Sequence, residues 1–79
     1  MTLRRYQGIR DRDMEILING ENRELPSPLN LRELIGLLEL KEDRVAIELN
    51  REIVRRERWA ETPLREQDRL EIVQFVGGG

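Results

Sequence analysis

The sequence contains no cysteine and no histidine. Thiolate nucleophiles, imidazole acid–base catalysis and zinc sites built on those ligands are excluded from the start. Disulfides are excluded with them, which suits a reducing compartment. No apolar run approaches the ~18 residues of a membrane-spanning helix, and the N-terminus lacks the apolar stretch of a secretory signal. The expectation is a cytoplasmic protein that does not enter membranes. There is no Gly-x-x-x-x-Gly-Lys loop, so the chain shows no phosphate cradle of its own. Aromatic residues are reduced to Tyr6, Trp59 and Phe75. Lys41 is the one lysine among 14 basic residues, a bias for which the sequence offers no physical account.

At 79 residues the chain makes one small domain. Such a domain buries roughly 60–65% of its unfolded surface, enough for one modest core. That argues against an enzyme enclosing its own substrate cavity. Charge is divided unevenly. Residues 1–13 hold Arg4, Arg5, Arg10 and Arg12 against Asp11 and Asp13. With a whole-chain net charge of −2, residues 14–79 therefore carry −4. An acidic body argues against nucleic acid and suits a partner with a basic docking surface.

Residues 1–13 show neither helical nor strand periodicity and read as a flexible extension, with a docked arm as the alternative. From Met14 the pattern sharpens into a domain over 14–76. Ile16 and Ile18 alternate along a strand that ends in Asn19-Gly20, the strongest short signal for a type I′ hairpin. Asn22–Leu25 is the returning strand, stopped by Pro26 and Pro28. Asn30 can cap a helix, with Glu33 reaching back to complete a capping box. Leu31, Leu34, Ile35 and Leu38 then form one apolar stripe, and Gly36 falls off it. Val45, Ile47 and Leu49 alternate as a half-buried strand, with Ile47 expected to face Leu34 and Ile35. Asn50-Arg51 turns tightly into the short strand Glu52–Val54. Trp59 stands alone in the charged run Arg55–Glu61 and reads as a plug at the edge of the core.

The last stretch carries the functional signal. Leu70, Ile72, Val73, Phe75 and Val76 read as a strand. The sequence then stops on Gly77-Gly78-Gly79. Glycine costs the most entropy to order, so a purely structural strand has no reason to end this way. Three such residues reach about 10 Å and carry no side chain. They can enter a slot too narrow for other residues and deliver one group, the α-carboxylate of Gly79. The competing reading is a frayed terminus. The element order, with one helix between two sets of strands, requires a mixed sheet of four to five strands and an α+β fold with the helix across one face. Leu70 and Ile72 then point toward the helix, and Val73 and Phe75 point away from it. An uncovered apolar patch of Val73, Phe75 and Val76 beside the tail is a candidate partner-docking surface. Alternatively Phe75 folds over the sheet edge.

Three segments carry a resemblance. Val45-Ala46-Ile47-Glu48-Leu49-Asn50-Arg51-Glu52-Ile53-Val54, Trp59-Ala60-Glu61-Thr62 and Asp68 through Gly79 resemble the ThiS-type sulfur carriers of thiamine biosynthesis, opening with Met-x-Ile-x-Ile-Asn-Gly at Met14. Arg55 stands where many members have proline, and Gln67 where a glycine usually shapes the turn. Residues 1–13 have no counterpart. The resemblance implies a ubiquitin-like β-grasp fold and makes Gly79 the working residue. It implies a regenerated cosubstrate, not an enzyme, monomeric alone, with no cofactor bound. An E1-like, ThiF-type adenylyltransferase would use ATP to adenylate Gly79. Sulfur from a cysteine desulfurase would convert it to a thiocarboxylate, and a ThiG-type thiazole synthase would consume that sulfur. The molybdopterin synthase small subunit, a ubiquitin-like protein modifier and a plain β-grasp interaction domain are the rivals. The Trp59 segment and the Val-Gly-Gly-Gly ending favour thiamine.

Overall fold

The computed structural model describes residues 13–76. The expected extension, apart from Asp13, and the expected Gly77–Gly79 tail lie outside them. Five strands and one helix follow one another as β1 (Asp13–Ile18), β2 (Glu21–Pro26), α1 (Leu31–Leu37), β3 (Val45–Leu49), β4 (Glu52–Val54) and β5 (Arg69–Gln74). Two 3₁₀ turns, Glu42–Arg44 and Arg56–Glu61, fill the connections around the β3–β4 hairpin. The sheet order is β2-β1-β5-β3-β4. β5 runs parallel to β1 and antiparallel to β3, so the last strand lies at the centre of a mixed sheet.

Local chemistry sets the turns and the helix start. Asn19 (φ 50°) and Gly20 (φ 84°) both take the left-handed conformation that a type I′ hairpin demands. Asn50 (φ 50°) and Arg51 (φ 75°) repeat it between β3 and β4. The Asn30 carboxamide accepts a hydrogen bond from the Glu33 amide at 2.8 Å, and the Glu33 carboxylate accepts from the Asn30 amide at 2.9 Å. This reciprocal box satisfies two amides that the first helical turn would leave without partners. β2 runs one residue past the expected stop, to Pro26. It is an edge strand, where a missing N–H costs no ladder bond.

One face of the sheet packs on α1. Ile16, Leu31, Leu34, Ile35, Ile47, Trp59 and Leu70 are the largest fully buried side chains. Ile47 shares that core with Leu34 and Ile35, as the alternation of β3 requires. Trp59 corrects the expectation of an edge plug: it is 1% exposed and belongs to the core itself. The 3₁₀ turn rolls the indole inward, and its Nε1–H donates to the Val54 carbonyl at 2.9 Å, so the buried polar atom is satisfied. The segment after it closes the helix end. Leu31 donates to the Thr62 carbonyl at 3.0 Å and Leu64 to the Leu29 carbonyl at 2.8 Å. Among the described residues no helix is long and apolar enough to cross a membrane.

Candidate functional site at the end of the central strand

β5 is the strand from which the glycine tail follows, and asparagine carboxamides pin it at its start and past its middle. At its start, the Asn50 Oδ1 accepts from the Arg69 amide at 3.0 Å while the Asn50 amide donates to the Arg69 carbonyl at 2.8 Å. The Asn50 Nδ2 also donates to Asp68 Oδ1 at 3.0 Å. Further along, where β1 runs out, the Asn19 side chain replaces the missing strand residue. Its Oδ1 accepts from the Ile72 amide at 2.7 Å and its Nδ2 donates to the Ile72 carbonyl at 3.1 Å. Each asparagine thus shapes its turn through a positive φ and clamps β5 through its carboxamide. Sequence reasoning found the turns and missed the clamps. The signal was available: both turns place asparagine, the residue that tolerates positive φ while offering a donor and an acceptor.

The strand divides its side chains as the period of two predicts. Leu70 is fully buried and Ile72 packs partly against the core. Val73 is 55% and Phe75 53% exposed, and Val76 is 90% exposed. Phe75 and Val76 lie beyond the strand, which ends at Gln74 and not at Val76 as expected. Pairing persists for one further bond, from the Phe75 amide to the Arg44 carbonyl at 2.7 Å. The three apolar residues expected to bind a partner therefore line the last stretch before the tail. Gly77, Gly78 and Gly79 themselves lie outside the described residues. Among the described residues no cluster of three or more Asp, Glu, Cys or His is placed to hold a metal ion.

The ThiS family profile matches residues 16–79, from the first core strand to the last glycine. This chain belongs to the ThiS family. It is 41% identical over 49 residues to the sulfur carrier protein ThiS of Bacillus subtilis, covering 62% of this chain and 74% of that one. A crystal structure of the thiamine biosynthesis protein ThiS from Geobacter metallireducens superposes with a TM-score of 0.72 and 32% identity, covering 84% of this chain and all of that one. The mixed sheet with one helix is accordingly the ubiquitin-like β-grasp fold. A thiazole synthase of Paramagnetospirillum magneticum is 39% identical over 66 residues, which are 84% of this chain. The chain spans only 20% of that protein's length. The family is one of sulfur carrier proteins, which bear a cargo and do not catalyse.

Proposed function

We infer that this chain carries sulfur for thiazole formation in thiamine biosynthesis, as a thiocarboxylate on Gly79. The observation that carries this reading is the family match extending through Gly79, joined to a central strand fixed in place up to the residues before the tail. The chemistry explains the need for partners. A carboxylate is a poor electrophile, because its charge repels nucleophiles and it offers no good leaving group. Adenylation by an E1-like, ThiF-type enzyme joins the Gly79 carboxyl oxygen to the α-phosphorus of ATP and releases pyrophosphate. The terminal sulfur of a persulfide, made from cysteine by a desulfurase, then attacks the acyl carbon and AMP departs. A second thiol cleaves the remaining S–S bond and leaves the thiocarboxylate.

Thiazole synthase is the proposed acceptor. A stretch similar to this chain within a thiazole synthase supports the pairing, since covalent union keeps donor and acceptor together. It also favours the thiamine pathway over molybdopterin. A cytoplasmic location suits a carrier whose cargo comes from a thiol. Val73, Phe75 and Val76 form the docking stripe and Gly77–Gly79 the probe that enters each partner's slot.

The test is the intact mass of the chain after incubation with ATP, a ThiF-type enzyme and a desulfurase with cysteine. Exchange of one oxygen for one sulfur at Gly79 is expected. Gly78→Val should abolish adenylation while leaving the melting temperature unchanged, because a β-branched side chain widens the tail and restricts its φ. Adenylation of that variant at the wild-type rate would show that the tail is not the working end.

A further inference from the structure

The outward face of the sheet contains a second feature that the fold itself does not require. Glu48 of β3 sits directly opposite Glu71 of β5 on one side and Ile53 of β4 on the other. Ala46 sits opposite Val73 in the next row. Side chains directly opposed across an antiparallel pair hold their Cβ atoms about 4.5–5.5 Å apart, and like charges at that spacing repel. Glu48 is half-buried and Glu71 exposed. Among the described residues the ion pairs are Arg32–Glu42 and Arg58–Glu61, and neither involves these carboxylates. The two glutamates share a notch of 170 Å³ with Ala46, Ile47, Ile53 and Val73. Among the described residues, Ile53 is 77% exposed, more than any other large apolar side chain except Val76.

Repulsion between Glu48 and Glu71 opposes the pairing of β3 with β5, and an isoleucine left in water stabilises nothing. Together they make a receptor for one kind of side chain. Arginine has an aliphatic stem that can lie along Ile53 and Val73 and a planar fork of donors that can serve two carboxylates at once. Lysine would offer only a point charge. We propose that this notch receives an arginine of the thiazole synthase, seated beside the slot that takes the tail; this rests on the sulfur-carrier reading above. Val73 lines the notch and also begins the stripe that leads through Phe75 to the glycines, so the two contacts are continuous. The −4 charge of residues 14–79 favours the same approach at longer range.

The experiment replaces both carboxylates, Glu48→Gln with Glu71→Gln, in the full chain. Its affinity for purified thiazole synthase is measured by calorimetry at low and moderate salt. The dissociation constant should rise about tenfold at low salt, and the gap from wild type should narrow as salt screens the native pair. The double variant should melt no lower than wild type, because a repulsion has been removed. That combination separates docking from a structural role, in which affinity and stability fall together. A dissociation constant within twofold of wild type would overturn the proposal. So would a concentration-dependent dimer of the wild-type chain that the double variant abolishes, which would give the notch to a second copy. Sulfur loading at Gly79 is followed in parallel. If wild type loads sulfur and the double variant binds unchanged, the docking inference alone is lost. If wild type neither loads sulfur nor binds the synthase, the carrier reading is lost as well.

Discussion

The two faces of β5 are made from alternating residues of one strand and answer to different demands. Toward the helix, Leu70 is fully buried and Ile72 partly so, in a core that includes Ile16, Ile47 and Trp59. Away from it, Glu71 and Val73 share a row structure with Glu48, Ala46 and Ile53, and all but Glu48 are exposed. On the first face the side chains are wholly or partly buried in the core, so residue identity is set by volume and burial. On the second, apolar and like-charged residues stand largely in solvent, where burial contributes little to folding. A surface that the fold leaves unconstrained, next to the strand end that carries the tail, is where selection by a partner can act.

The largest effect expected is on the buried face. Ile47→Ala removes buried methyl groups from a side chain 1% exposed at the middle of the core. Lost transfer energy and the residual cavity together should cost about 2–5 kcal/mol in chemical denaturation. For a domain of this size that is a large part of its total stability. A loss below about 1 kcal/mol would mean that the two faces differ less than their exposures indicate.

Phe75→Ala should show the opposite pattern. The ring is 53% exposed and lies past the end of β5, so the melting curve should move by no more than about 0.5 kcal/mol. Affinity for the adenylating partner should weaken by about 1–3 kcal/mol, the usual loss for an aromatic anchor. Excess partner should restore adenylation, because the reactive carboxylate is intact. Equal losses of stability and affinity would assign Phe75 to the fold and erase the contrast.

What could be read in the sequence was largely what is local. Asn19-Gly20 and the Asn30–Glu33 box act within four residues, so their residue types name their conformations. The alternation of Val45, Ile47 and Leu49 names a buried face just as directly. The placement of β5 between β1 and β3 was less accessible, since Ile18 and Leu70 pair across a separation that no short pattern spans. The asparagine clamps follow from that placement and were hidden with it. Trp59 was misjudged because its charged neighbours mask a 3₁₀ turn in which one residue points inward. The exposure of Val73 and Phe75 was legible from the period of two, since Leu70 and Ile72 face the helix. The Glu48–Glu71 pair required the strand register.

The smallest effects expected sharpen the contrast by isolating backbone from side chain, at Gln67 and Arg55, where the sequence resemblance predicts glycine and proline. Gln67 is exposed and holds φ 72°, in the left-handed region that glycine reaches freely and glutamine reaches at a cost. Its amide still donates to the Glu15 carbonyl at 2.8 Å, which ties the turn to β1 and maintains the strained conformation. Gln67→Gly keeps that bond and removes the strain, offset in part by the greater freedom of glycine in the unfolded chain. A net gain of about 0.5–1 kcal/mol is expected. Arg55 is exposed too, and precedes the 3₁₀ turn with φ −69° and ψ 149°. Proline enforces that φ, and Val54 before it is already in the extended conformation that proline requires. Arg55→Pro should therefore gain about 0.4–1 kcal/mol by restricting the unfolded state. Each gain would appear as a rise of a few degrees in melting temperature in a domain of this length. If either variant instead melts lower than wild type, the exposed side chain is holding its turn, and exposure would no longer mark the residues that the fold leaves free.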